Sequence, residues 1–238
     1  MPKVRVIAEA GSNHLNDYKT AKELIKTAKS VGCSAVKFQW LDEGTPESQH
    51  NAGIYMPMDW PERLLEYGGI VGIPVFFSCF GPKEVIDWKM LRLAELGCKM
   101  MKFAFPQRHN IGQVERALLL FNEVVISTSP MDKWELPEND RLSTLYCHSI
   151  HGEPVYPVIE ELDFTGLFQY PGSPQSRAFG FTGFSSHCLN QEQPIRAIKQ
   201  GATVVEVHMK LEDTPLSIPD SRFSLLPAQV ELVARHHG

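Results

Sequence analysis

The sequence predicts a single (β/α)8 barrel, for three reasons. Short apolar, strand-like runs alternate with helical patterns along the 238 residues. The runs number about eight, the inventory of a complete barrel. Several of them end in a charged or metal-binding side chain. Val4-Arg5-Val6-Ile7-Ala8 runs into Glu9, Ala35-Val36 into Lys37, and Met100-Met101 into Lys102. Phe184 runs into Ser185 and His187, and Val204-Val205 into Glu206 and His208. Burying an unpaired charge is costly, so such residues seldom recur without a role. Repetition at the same end of successive strands reads as an active site on one face of a parallel barrel.

The elements follow in order. The first strand spans Val4 to Glu9. A helix follows over Tyr18 to Ser30, with Ala21, Leu24, Ile25 and Ala28 on one face at helical spacing, and Gly32 stops it. The second strand is Ala35 to Gln39, and a long polar loop leads to a helix near Pro61 to Tyr67. The third strand is Val75 to Phe80, with Pro82 opening the next helix at a position proline tolerates. The fourth is Lys99 to Ala104, followed by a helix near Ile111 to Phe121. The fifth is Val124 to Thr128, the sixth Thr144 to Ser149, the seventh Phe179 to Ser185 and the eighth Val204 to Met209. A last helix runs from Pro227 to His236. The barrel is abbreviated after the fifth strand, where Pro130 to Arg141 holds two prolines and no clear amphipathic helix. Phe168 to Arg177 reads as a loop, and neither stretch reads as a domain boundary. An open doubly wound sheet is the competing architecture. It lacks support, because Ala8 to Asn13 offers only Gly11 where a dinucleotide turn needs several glycines.

Composition narrows the class. Hydrophobic residues make up 43% and charged residues 21%, as in an ordinary globular protein. A net charge of −5 leaves no basic footprint for nucleic acid. No apolar run is long enough to span a bilayer, and Met1-Pro2-Lys3-Val4 enters a strand without a signal-peptide pattern. Five scattered cysteines show no metal-knuckle spacing and suggest reduced thiols, so the cytoplasm is the expected location.

Alternate strand residues share a face, so Lys37 and Gln39 point together, as do Ser185 and His187, and Glu206 and His208. With Glu9, Lys102, Ser127 and Ser149 they would form a polar ring at the carboxyl ends of the strands. Lysines and hydroxyls suit a phosphate or carboxylate. Two histidines on neighbouring strands suit one divalent metal and leave positions open for water and substrate. Plainer readings exist. Lys37 and Lys102 could be rim ion pairs with Glu9 or Glu206, the serines could cap backbone, and Cys79 could be a packed small hydrophobe. His109, His148, His151 and the His236-His237 pair read as loop or surface residues.

The run Ile7-Ala8-Glu9-Ala10-Gly11-Ser12-Asn13-His14, followed by Val36-Lys37-Phe38-Gln39, resembles the sialic acid synthase (NeuB-like) family. Gly183-Phe184-Ser185-Ser186-His187, Val205-Glu206-Val207-His208, Pro219-Asp220 and Ser224-Leu225 agree with it in order, over nearly the whole chain. The resemblance implies a TIM barrel that condenses phosphoenolpyruvate with an N-acylated amino sugar, using a divalent metal, Mn2+ or Mg2+. It implies metal ligation by His187 and His208. Lys37, Cys79, Lys102, Ser127, Ser149 and Ser185 would stand at the phosphoenolpyruvate positions, and Gln39, Gln107, His151 and Asp220 at the sugar positions. Glu9 would be a catalytic or water-positioning acid. A homodimer, with a separate lid protein as an option, is the assembly it implies.

Several positions depart from the family pattern. Phe105 stands for a phosphate-binding serine, and Gln107 for a glutamate that can ionise. Cys79 stands for threonine, Ser149 and His151 for asparagine and tyrosine, and Ser186 for an aspartate. The family's C-terminal antifreeze-like domain has no counterpart in these residues. These departures keep two alternatives in play: another metal-dependent barrel lyase or aldolase with a changed substrate, and a non-catalytic binding or regulatory protein.

Overall fold

The computed structural model describes residues 4–130, 132–147, 164, 167–168 and 180–236. Eight parallel strands close on themselves in sequence order, with β8 pairing back to β1. They are β1 (Arg5–Gly11), β2 (Ala35–Trp40), β3 (Val75–Cys79), β4 (Met100–Phe103), β5 (Glu123–Thr128), β6 (Leu142–Cys147), β7 (Gly183–Ser186) and β8 (Val204–His208). The helices among the described residues are α1 (Tyr18–Ser30), α2 (Pro46–His50), α3 (Trp60–Val71), α4 (Lys83–Glu95), α5 (Ile111–Leu120), α6 (Glu192–Lys199) and α7 (Pro227–Arg235). No helix among the described residues is long and apolar enough to cross a membrane.

Local chemistry accounts for the elements. Asp17 caps α1 by accepting from the Lys19 and Thr20 amides at 3.1 and 3.0 Å. The face predicted from spacing, Ala21, Leu24, Ile25 and Ala28, is the face that is buried. Strand boundaries differ from the sequence expectation by a few residues. β6 starts at Leu142, two residues earlier, because Leu142 and Ser143 pair with Val124 and Val125. β1 runs on to Gly11 through a register shift after Glu9. The long loop after β2 carries an extra helix, α2, opened by Thr45, whose hydroxyl accepts from the Ser48 amide at 3.3 Å. Between β5 and β6 the described residues form a 3-10 turn over Lys133–Glu135 and no α-helix, the abbreviation the sequence predicts.

Register decides which side chains enter the barrel. Glu9 lies opposite Lys37, Gln39 opposite Ser78, Ser78 opposite Lys102, and Ser185 opposite Glu206. Paired residues share a face, so all of these line the lumen. Ser127 and Cys147 join them by the same alternation. One step deeper along the strands lie Ile7, Phe76, Met100, Val125 and Leu145, an apolar layer. Gly183 belongs to that layer, and a Cβ there would run into the Val204 carbonyl oxygen. Deeper still, Arg5 reaches across from β1 to Glu123 on β5. The opposite faces of the strands carry Phe38, Trp40, Phe77, Met101 and Phe103, all buried in the main apolar core.

One core residue is unexpected. Lys89 sits on the buried stripe of α4 with Ile86, Met90 and Leu93 and is fully buried. Its ammonium donates to the Trp40 and Phe80 carbonyls at 3.0 Å each and meets Asp42 at 2.9 Å. Three acceptors match its three N–H groups, which offsets the desolvation of the charge. The contacts tie the carboxyl ends of β2 and β3 to each other and to the loop beyond.

Candidate active site at the barrel mouth

Four buried charges meet inside the carboxyl end of the barrel. Lys37 forms a direct ion pair with Glu9. Glu206 accepts from Lys102 at 3.1 Å and from the Ser185 hydroxyl at 2.9 Å through the same oxygen, while its second oxygen lies 3.9 Å from the Lys37 nitrogen. Lys102 also donates to the Ser127 hydroxyl at 2.6 Å. The second Glu9 oxygen accepts from the Gly11 amide at 2.6 Å, a contact that the register shift at this point allows. Two ammonium groups face two carboxylates, so the quartet is balanced when all four are charged.

The two carboxylates are shifted in opposite directions. Burial pushes Glu9 up to about 7, against the pull of Lys37. Burial acts on Glu206 in the same direction, but Lys102 and Lys37 together outweigh it and hold the carboxyl well below its usual range. Lys37 is shifted upward: burial opposes the charge, and Glu206 and Glu9 restore it. Lys102 is shifted downward by burial, with Lys37 adding to the effect and Glu206 opposing it. Glu9 is thus the group in the quartet poised to exchange a proton near neutral pH.

His187 and His208 come together as the sequence suggests. Their rings lie 4.9 Å apart, edge to face. Phe223, from the 3-10 turn after β8, stacks on His187 at 5.2 Å and meets His208 edge-on at 4.6 Å. Burial and the neighbouring His187 keep His208 well below its ordinary value, hence neutral, the form that ligates. Its Nδ1 is buried with no hydrogen-bond partner. An orphaned nitrogen on a neutral ring beside a second imidazole fits a metal ligand. Among the described residues no group of three or more His, Cys, Asp or Glu is arranged for a metal, so an ion here would have two protein nitrogens and open positions.

Asp220 is buried and faces the loop after β1. One of its oxygens accepts from the Ser12 amide at 2.6 Å and from the Ser12 hydroxyl at 2.9 Å. Burial raises its carboxyl against those bonds. Gly11, at φ +50°, leaves no room for a side chain, because a Cβ would strike the Asp220 carboxylate. Asn13 donates to the Met209 carbonyl at 3.0 Å and to Ser224 at 2.9 Å, and Ser224 donates to the Asp220 carbonyl at 2.6 Å. The Gly11-Ser12-Asn13 run therefore locks the β1 loop to the segment beyond β8, next to His208.

Other predicted site residues are placed differently. Cys79 pairs with Trp40 on the outer face, near Lys89, and burial shifts its thiol upward. It is not brought to the lumen, where β3 presents Ser78 instead. Gln107 is buried in a 3-10 turn and bonded at both ends. Its oxygen accepts from the Ala104 amide at 3.0 Å, and its nitrogen donates to the Cys79 carbonyl at 2.7 Å. Phe105 lies under the Arg108 guanidinium, 4.3 Å from the ring. Gln39 does face the lumen. Ser149 and His151 fall outside the described residues.

Two lumen residues, Cys147 and Ser78, were missed by sequence reasoning, and Glu206, placed in the polar ring and as an ion-pair partner of the lysines, was given no ligand role although it is the hub of the quartet. Cys147 stands two residues past Leu145 on the lumen face, where burial pushes its thiol up to about 12 against Lys102 and the Ser127 and Ser185 hydroxyls. Ser78 requires the β2–β3 register, which one sequence does not reveal.

The chain resembles known proteins in sequence and in fold. Residues 175–237 match the sequence profile of the NeuB family. The N,N'-diacetyllegionaminic acid synthase of Legionella pneumophila is 28% identical over 95% of this chain and 69% of its own length. The N-acetylneuraminate-9-phosphate synthase of Mus musculus is 26% identical over 98% and 71%. The family match covers the last quarter of the chain, and the relatives extend the likeness over nearly all of it. In fold, the barrel superposes on the N-acetylneuraminic acid (sialic acid) synthetase of Leptospira borgpetersenii with a TM-score of 0.75, at 23% identity, over 98% of this chain and 82% of that one.

Proposed function

We propose that the chain is a sialic acid synthase-like enzyme that condenses phosphoenolpyruvate with an N-acylated amino sugar aldehyde and releases phosphate to give a nonulosonic acid. The observation that carries this reading is the lumen itself, where Lys37, Lys102, Ser127 and Ser185 stand beside the His187–His208 pair. The named activities of the legionaminic and neuraminate synthases to which the chain is similar support it.

His187 and His208 would hold a divalent cation, Mn2+ or Mg2+, whose chemistry is to polarise the sugar aldehyde. Lys37 and Lys102 would receive the phosphate and carboxylate. Both are paired already, yet neither is saturated. Among the described residues Lys102 has two acceptors for three N–H groups, and Lys37 meets Glu206 only at 3.9 Å. Glu9, with its carboxyl near 7, would hold or move the proton as the aldehyde oxygen takes it up and as water adds. Burial of the quartet would exclude bulk water and strengthen each interaction.

A second reading has one observation in its favour. Gln107, at the sugar side by family pattern, is turned inward onto Cys79 and Ala104. A changed acceptor, and with it a different lyase or aldolase activity or a non-catalytic role, would follow if that side is rebuilt.

Calorimetric titration of phosphoenolpyruvate, with and without Mn2+, into wild type and His187→Ala tests the first reading. The expected result is metal-dependent binding that is lost in the variant. Binding indifferent to metal in both proteins, or no binding at all, would end it.

A further inference from the structure

Phe223 keeps company that a phenylalanine seldom keeps. It is half-buried and stands outside the main apolar core. Among the described residues its ring contacts are the two histidines of the mouth. It stacks on His187 at 5.2 Å with 15° between the planes, and meets His208 edge to face at 4.6 Å and 81°. The histidines meet each other at 4.9 Å and 89°, so the three rings touch pairwise. The segment that carries Phe223 is pinned on both sides. Asp220 opens its 3-10 turn and accepts from the Ser12 amide, and the Leu225 amide donates to the His208 carbonyl at 2.8 Å.

An imidazole binds a metal through a nitrogen lone pair that lies in the ring plane, so affinity depends on how that plane is held. The His208 Nδ1 makes no hydrogen bond, and that nitrogen gives the plane no polar anchor. Ring contacts are left to hold it. A ring stacked on His187 covers one face of the imidazole and leaves the in-plane directions of its nitrogens open. A phenyl ring also has no lone pair of its own, so it restrains the pair without competing for the ion. Outside the core and half in solvent, the ring gains little from burial, and its contacts with the histidines account for its place.

We propose that Phe223 is a positioning residue for the histidine pair, its ring fixing the planes of His187 and His208 so that both imidazoles serve one divalent ion. The inference deepens the metal half of the proposed reaction and rests on the two histidines being the metal ligands. Without the ring each imidazole gains rotational freedom that ion binding must then freeze, and the affinity falls by that cost. The effect falls on the ion first and reaches phosphoenolpyruvate only through it.

Titration with Mn2+ alone, followed by the electron paramagnetic resonance signal of the free ion, tests this in wild type, Phe223→Ala and Phe223→Tyr. Phe223→Ala is expected to bind Mn2+ about tenfold more weakly. Phe223→Tyr keeps the stacked ring and should stay within about twofold of wild type. Unfolding temperatures measured without metal, unchanged in both variants, would exclude misfolding as the cause. Equal Mn2+ affinity in wild type and Phe223→Ala, with phosphoenolpyruvate binding still metal-dependent, overturns the proposal and leaves the synthase reading standing. A Phe223→Tyr protein as weak as Phe223→Ala overturns it too, because the ring alone would then not suffice. A wild type that binds no Mn2+ removes both the proposal and the metal half of the synthase reading. Mn2+ binding that depends on Phe223, in a protein that ignores phosphoenolpyruvate, upholds the proposal and refutes the synthase reading instead.

Discussion

The two ends of this barrel solve the same problem differently. At the amino-terminal end Arg5 crosses the lumen and donates to both oxygens of Glu123, at 2.6 and 2.5 Å, while Ser143 donates to the same carboxylate at 2.9 Å. That plug is bidentate and well satisfied. Glu123 is held below its usual value: burial opposes this, and the bond to Arg5 prevails. At the carboxyl end the four charges of Glu9, Lys37, Lys102 and Glu206 also pair across the lumen. Around them, however, Gln39 Oε1, Ser78 Oγ, Glu206 Oε2 and His208 Nδ1 have no hydrogen bond. Both ends hold buried ion pairs, so an ion pair alone does not mark the site. The mark is polar capacity left over after the pairs have formed, at the end where a barrel's loops can bring a ligand.

The largest effect should come from breaking the hub. Glu206→Ala strips Lys102 of its carboxylate partner and Lys37 of one of its two, leaving buried positive charge less than fully compensated. Removing one partner of a buried pair costs about 3–5 kcal/mol. Urea denaturation should show a loss of that order. A loss below about 1 kcal/mol would mean that water reaches the quartet, placing it among exposed pairs.

Acidity separates the two carboxylates of the mouth. Glu9 has a folded value near 7 against an ordinary 4.5. Its contribution to stability is fully present below pH 4.5 and is lost as pH rises through about 7, because the native state keeps a proton that the unfolded chain releases. Glu206 is shifted the other way, so its contribution is present above 4.5 and is lost as pH falls below that value. Unfolding free energies measured at intervals from pH 4.5 to 7.5 should therefore decline more steeply in wild type than in Glu9→Gln. Parallel curves for the two proteins would mean that Glu9 titrates normally and could not serve as the proton-exchanging group.

Much of this architecture is legible in the sequence, and the gaps have physical causes. α1 is readable because its apolar stripe and its Gly32 stop agree. Lys37, Lys102, Glu9 and the histidine pair are readable because each breaks an apolar strand at the same end. Cys79 and Ser78 show where such reading stops. The two are neighbours, and only the pairing of β3 with β2 and β4 decides which one enters the lumen. Register is a property of two strands, so it is absent from either one alone. Gln107 is a different case: the family resemblance placed it at a sugar position, and the 3-10 turn folds its side chain onto Ala104 and Cys79, a turn that the sequence reading did not include. Lys89 escaped notice because a lysine on a helix normally marks the solvent face, and here its acceptors are strand-end carbonyls contributed by distant residues.

The smallest effect belongs to the amino-terminal plug. The Arg5 side chain is 41% exposed, so solvent screens its bond to Glu123 and reduces what the bond contributes. Arg5→Met keeps the length and apolar stem of the side chain while removing the charge. It leaves Glu123 with the Ser143 hydroxyl, and its own carboxylate should rise toward the ordinary range. The expected cost is about 1 kcal/mol, well under that of Glu206→Ala. Phosphoenolpyruvate titration in the presence of Mn2+ should give wild-type affinity, since the apolar layer of Ile7, Met100, Val125 and Leu145 lies between the plug and the mouth. A weakened titration with unchanged stability would show that the two ends communicate through that layer, and the division between a structural end and a ligand-binding end would fail.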